Sequence, residues 1–151
     1  MIKKLDNKNE NVAQNIRSVF QESYKVEAEL LKAIDFPPLK RALKDYIRTD
    51  TDFYGYFKKE ELAAVIEISK KPNYTDIRSL VVLPAFFRQG IARKLMQFTL
   101  DNFYSDLYVV ETGVENEPAS RLYKDFGFVE VKQWDTNQGV RKVKFERRVD
   151  N

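Results

Sequence analysis

The segment Ile77–Phe103, IRSLVVLPAFFRQGIARKLMQFTLDNF, limits the folds open to this chain more than any other. Ser79–Leu83 is short, apolar and β-branched, the pattern of a buried strand. Pro84 ends it, because proline has no N–H to give to a ladder. Phe86–Gly90 turns the chain, and Ile91, Leu95 and Phe98 then recur at the spacing of one helix face. Leu107–Thr112 reads as the next strand, so a right-handed crossover into a parallel pair is predicted. A helix that starts straight after a buried strand aims its free N–H groups and positive dipole end above that strand. Such an end binds anions with backbone alone. Gly90 permits close approach of a ligand to that backbone, and Arg88 adds a cation. The turn is therefore expected to hold the pyrophosphate of a cofactor.

The remaining elements follow from the same periodicities. Ile2 and Leu5 suggest a short first strand. Glu10–Ile34 reads as helical, with one stripe of Val12, Ile16, Val19 and Phe20 continued by Val26, Leu30, Leu31 and Ile34. Asn7 or Asn9 is the expected N-cap, with a break near Ser23-Tyr24 as an alternative to one long helix. Phe36-Pro37-Pro38 stops it, and Pro38 can open a second helix carrying Leu39, Leu43, Tyr46 and Ile47. Thr49–Phe57 and Glu61–Ser69 form a predicted hairpin. In its second strand Leu62, Ala64, Ile66 and Ile68 share one face, and Ala63, Val65, Glu67 and Ser69 the other. Pro118 is placed at the start of a helix whose face is Ala119, Leu122, Tyr123 and Phe126, and Gly127 is its left-handed stop. Phe128–Gln133 and Val140–Arg147 form a closing hairpin. The sum is an α+β chain, in three α/β layers. It has one mixed, mostly antiparallel twisted sheet of six or seven strands, with helices on both faces. At 151 residues it is read as a single domain, residues 1–151.

Composition narrows the chemistry. There is no cysteine and no histidine, which removes disulfides, thiolate nucleophiles and every Ser-His-Asp or Cys-His mechanism. A zinc site would have to be all carboxylate, so no metal is expected. No apolar run approaches a membrane span, and Met1–Asp6 lacks the apolar core of a signal peptide, so a cytoplasmic location is expected. The 26 basic residues are interleaved with 23 acidic ones, which argues against a nucleic-acid partner. The net charge of +3 suits an anionic cofactor equally well.

Two segments together resemble the GNAT superfamily of N-acetyltransferases. The first is Phe87-Arg88-Gln89-Gly90-Ile91-Ala92 after Val82-Leu83-Pro84, similar to that family's Arg/Gln-x-x-Gly-x-Gly/Ala cofactor loop. The second is Asn116, Ala119, Leu122-Tyr123 and Gly127-Phe128. The resemblance spans roughly Thr49–Val131. It departs from the family at Phe87, where Arg or Gln is usual; the cradle is mainly backbone, and Arg88 is the nearest cation. The resemblance implies acetyl-CoA, or another acyl-CoA, as co-substrate and an amine-bearing small molecule or protein as acceptor. The amine attacks the thioester directly, so no enzyme nucleophile is needed. It implies that Val81, Val82 and Leu83 line the cofactor arm, with backbone N–H near Val82 polarising the thioester carbonyl. Phe87, Arg88, Gln89, Gly90, Ile91 and Ala92 would form the pyrophosphate loop. Asn116 would hydrogen-bond the pantetheine arm or its surroundings, Ala119 would also contact the cofactor, and Tyr123, likewise at the cofactor, would be the general acid for the leaving thiolate.

The base is less constrained. Glu67, on the strand face opposite Ile66 and Ile68, is a candidate, with Asp76 and Ser79 as further options. Apart from the resemblance, Tyr123 also lies on an apolar stripe where it would pack on Phe128 at the helix stop. The closing hairpin offers an edge for a homodimer. A non-catalytic CoA-binding protein of the same fold is the alternative reading, and a small basic nucleic-acid module is a weaker one.

Overall fold

The computed structural model of the protein describes residues 1–149; Asp150 and Asn151 lie outside it. Its most continuously buried strand is β3, Glu61–Lys70, in which every residue from Ala63 to Ser69 is buried. Alternation of polar and apolar faces is absent here because helices cover both sides of the sheet. Before β3 come β1 (Ile2–Leu5), α1 (Glu10–Leu31), α2 (Leu43–Arg48) and β2 (Asp52–Lys58). After it come β4 (Thr75–Val82), α3 (Ile91–Asn102), β5 (Leu107–Gly113), α4 (Glu117–Asp125), β6 (Val129–Asp135) and β7 (Arg141–Arg148). The strands form one seven-stranded sheet in the order β1-β2-β3-β4-β5-β7-β6. Only β4 and β5 run parallel, joined by α3 as the crossover; the other neighbours are antiparallel.

Two cores follow from this sandwich. On one face Ile16, Val19 and Phe20 of α1 and Tyr46 of α2 pack on Phe53, Val65 and Val81. On the other, Ile91, Leu95 and Met96 of α3 and Leu122 and Tyr123 of α4 pack on Ala64, Ile66, Ile68, Val143 and Phe145. The large apolar side chains in these clusters each add about 1.5–3 kcal/mol when removed from water.

The local expectations are partly met and partly revised. α1 is a single helix of 22 residues with no break at Ser23-Tyr24. Asn9 is its cap, accepting from the Val12 N–H, while the Asn7 amide donates to the Tyr46 carbonyl at 2.7 Å. The helix ends at Lys32, which is left-handed at φ 53°, before the prolines are reached. The buried stripe of its first half does not continue through Val26, Leu30 and Ile34, which are exposed. It continues through Tyr24, Glu27 and Leu31, which turn inward. The second predicted helix is divided into a turn of 3-10 helix, Pro37–Lys40, and α2, with Arg41 extended between them. The extended Arg41 meets Glu67 through two nitrogens, at 2.8 and 3.0 Å.

Candidate active site

β4 and β5 pair only at Thr75↔Tyr108, Asp76↔Val109 and Ile77↔Val110, and then part. Beyond that point β4 is held only by β3, and β5 only by β7. A bulge marks the divergence. Glu67 faces Ser79 and Ile68 faces Ile77, so Arg78 is an extra residue in β4. Bulges bend a strand and re-aim its side chains, which suits the start of a gap. Leu83 N–H bonds to the Ala63 carbonyl at 2.8 Å, so Leu83 and Val81 are the residues that exchange hydrogen bonds with β3. Val82, between them, therefore turns its N–H and carbonyl toward the gap.

The α3 end of β4 is a turn whose backbone N–H groups have the geometry to meet an anion. Pro84–Phe86 makes a turn of 3-10 helix, Arg88 is left-handed at φ 63°, and Gly90 caps α3 at φ 76°. No side chain caps the helix, and its first internal bond is Lys94 N–H to the Gly90 carbonyl, leaving the preceding N–H groups free of helix partners. A Cβ built on Gly90 meets nothing within 4 Å, so the space over the turn is open. Phe87 is exposed, Ile91 is buried and Ala92 packs on the core. Lys58, at the end of β2, donates to the Gln89 side chain at 2.7 Å and adds a cation that motif reading overlooked.

A cavity of about 860 Å³ lies along the diverging parts of β4 and β5. β4 and β5 form its floor through Ser79, Leu80 and Glu111–Gly113, and α1, α4 and the β6–β7 hairpin form its walls. The residues lining it do not include Arg88–Ala92, so the turn before α3 is not part of this cavity.

Tyr123 lines this cavity and is 5% exposed. Its ring packs on Phe128 at 6.0 Å and on Phe145 at 5.9 Å. The helix stop holds it: Gly127 N–H bonds to the Lys124 carbonyl and Phe128 N–H to the Tyr123 carbonyl, with Gly127 at φ 86°. Tyr123 is thus both core and cavity wall. Among the described residues its hydroxyl makes no hydrogen bond, yet it is not among the sealed polar atoms, so it opens on the cavity. Burial raises its phenol pKa, and the charge of Glu27 raises it further.

Glu67 is 1% exposed and enmeshed. Arg41 binds it with both nitrogens, at 2.8 and 3.0 Å; Thr51 donates at 2.7 Å and Ser79 at 3.3 Å. The Arg41 guanidinium lies 4.2 Å from the Tyr46 ring centroid. The Tyr46 hydroxyl is buried with no hydrogen-bond partner among the described residues, and its pKa is pushed up to about 12, by burial first and despite the Arg41 charge. Asp76 sits in the paired part of β4, away from the cavity lining.

Asn116 caps α4, accepting from the Ala119 N–H at 3.3 Å, and donates its amide N–H to Glu27 at 2.7 Å. Glu27 was missed by sequence reading. Extending the Ile16–Phe20 stripe by helical period, instead of following the apolar residues, leads to Tyr24, Glu27 and Leu31. Burial raises the Glu27 carboxyl pKa, against the opposing effects of the Asn116 bond and the Lys142 charge.

The fold is that of known acetyltransferases. It matches the ribosomal-protein-S18-alanine N-acetyltransferase of Escherichia coli with a TM-score of 0.77, at 17% identity, over 100% of this chain and 94% of that one. It matches the PaiA N-acetyltransferase of Thermoplasma acidophilum, solved in complex with coenzyme A, with a TM-score of 0.74, at 17% identity, over 99% and 98%. The UPF0157 protein YqkA of Bacillus subtilis is 35% identical over 141 residues, 93% of this chain; the chain spans 41% of that relative's length. The model of the acetyltransferase (GNAT) domain matches residues 20–149, from the inward face of α1 to the end of the described residues. With a seven-stranded sheet opened between β4 and β5 beside an uncapped α3, the chain belongs to the GNAT acetyltransferase family.

Proposed function

We propose that the chain transfers the acetyl group of acetyl-CoA directly to an amine, with no covalent intermediate on the protein. The observation that carries this reading is the β4–β5 gap, with the uncapped N-terminus of α3 following β4 and the cavity lined by Tyr123 lying along both strands. Acetyl-CoA supplies the activated thioester. The backbone of Arg88–Ala92 holds its pyrophosphate, with Arg88 and Lys58 as nearby cations. The edge of Val81–Leu83 lines the arm, and the Val82 N–H, turned toward the gap, polarises the carbonyl. Asn116 and Ala119 shape the arm's surroundings, since both polar atoms of the Asn116 side chain are already engaged. Tyr123 is the acid that protonates the leaving sulfur. Glu67 has its lone pairs taken by Arg41, Thr51 and Ser79, an arrangement that suits it to fixing the cavity wall.

The test is calorimetry followed by turnover. Folded protein binds acetyl-CoA, and Tyr123→Phe keeps that affinity while kcat with an accepted amine falls about 10²-fold or more. Absence of acetyl-CoA binding at high micromolar concentration refutes the assignment. Unchanged kcat in Tyr123→Phe removes the acid role alone.

A further inference from the structure

We propose that Glu27 is the proton acceptor for the attacking amine, a role that rests on the acyltransfer reading. Among the described residues five carboxylates line the cavity: Glu27, Asp35, Asp45, Glu67 and Glu111. Asp35 is ion-paired with Lys40, and Glu111 with Lys142 at 3.2 Å. Glu67 is filled on both oxygens. Asp45 is exposed to water. Glu27 is half-buried, and Asn116 orients it through one oxygen at 2.7 Å. Among the described residues its other oxygen takes no hydrogen bond, so it is open to the cavity.

The groups facing Glu27 fit this role. Tyr24 stands on the same helix, Tyr123 and Asn116 come from α4 and its cap, and Lys142 comes from β7. Lys142 is drawn toward Glu111 of β5, which leaves Glu27 without an ion-pair partner among the described residues. Phe20, Tyr24, Phe36 and Trp134 give the cavity aromatic walls, so an amine carried on an apolar body fits it.

The step balances. Glu27 takes one proton from the ammonium, and the freed nitrogen forms the N–C bond to the acetyl carbonyl. The C–S bond breaks, and its electron pair leaves on sulfur. Sulfur receives the Tyr123 proton, and Tyr123 recovers one from the new amide nitrogen. Glu27 then releases its proton to water. Burial raises the Glu27 carboxyl toward the range useful in a base. The Tyr123 phenol is raised by burial first and then by the Glu27 charge, so protonation of Glu27 removes the second cause. Taking the amine's proton thus makes the acid readier to give its own.

The experiment follows thiol release from acetyl-CoA between about pH 5 and pH 9, with water alone and with phenethylamine as acceptor probe. Wild type and Glu27→Gln are compared, and acetyl-CoA affinity is measured for both by calorimetry. Gln keeps the acceptor for the Asn116 N–H and loses only the base. The expected result is equal affinity, a fall of about 100-fold or more in rate, and loss of the acidic limb of the pH profile. Equal affinity with a rate within about twofold, or a retained limb, overturns the role. So does wild type that binds acetyl-CoA but releases no thiol above the buffer rate with either probe. If folded wild type binds no acetyl-CoA, the acyltransfer reading falls, and the Glu27 role with it.

Discussion

Arg41 lies against the rings of Phe20, Tyr46 and Phe53 and commits two nitrogens to one carboxylate. Its side chain is 23% exposed and that of Glu67 2%, so the pair sits in a low dielectric where neither charge is cheap alone. Arg41→Met leaves Glu67 uncompensated and is expected to cost about 3–5 kcal/mol in urea unfolding, a large part of which returns in Arg41→Met/Glu67→Gln. A loss below about 1 kcal/mol in the single variant contradicts this account. Glu27 makes a separate, pH-dependent prediction. Burial raises its folded pKa, so over that window the folded chain holds a proton that the unfolded chain has released. Stability from this group is fully present below the ordinary carboxylate range and is lost as pH rises through the raised value. Glu27→Gln removes that slope. Its melting temperature should therefore exceed that of wild type near pH 8, with the gap narrowing toward pH 4 or so. A gap that widens on acidification would falsify the assignment.

At the scale of elements, two helix ends use left-handed glycines for different purposes. Gly127 ends α4 so that Phe128 can fold back on Tyr123, and a Cβ there meets only Arg147 atoms at 3.7 and 3.9 Å. Gly90 opens α3 with empty space where its Cβ would point. Alanine at either position carries the same backbone strain, about 1–2 kcal/mol. The two variants should differ in binding. Gly90→Ala places a methyl group in the cradle and is expected to weaken acetyl-CoA binding about tenfold or more by calorimetry, whereas Gly127→Ala mainly lowers the urea midpoint. Equal effects on affinity would mean that the α3 cradle does not hold the pyrophosphate. Motif spacing made both glycines readable, because each is punctuation between a helix and a strand. The course of Arg41 between two helical segments was not readable, since its partner lies on β3.

For the molecule as a whole, the gap between β4 and β5 is unpaired backbone in the middle of a sheet. A ligand that fills it binds the folded state and not the unfolded one. Acetyl-CoA at about 100-fold over its Kd should add about 2.7 kcal/mol. For a chain of this length that corresponds to a rise in Tm on the order of 5–10 °C, read by calorimetric melting. No rise at saturating acetyl-CoA would count against the gap as its seat. The crossover order, the helices on both faces and the turn between β4 and α3 were legible in the chain, because each is written in local periodicity and in Pro, Gly and Asn punctuation. The splay itself was not, because it arises where β4 gains Arg78 as a bulge and β5 loses β4 while keeping β7 along its other edge. Sequence by itself determined which residues could be strand, turn or helix and that histidine and cysteine play no part. Tertiary structure alone decided that Glu67 is locked to Arg41 while Glu27 is open beside Tyr123. The reason is physical: a carboxylate's role depends on its desolvation and its partners, and those arrive from strands and helices far away in the chain.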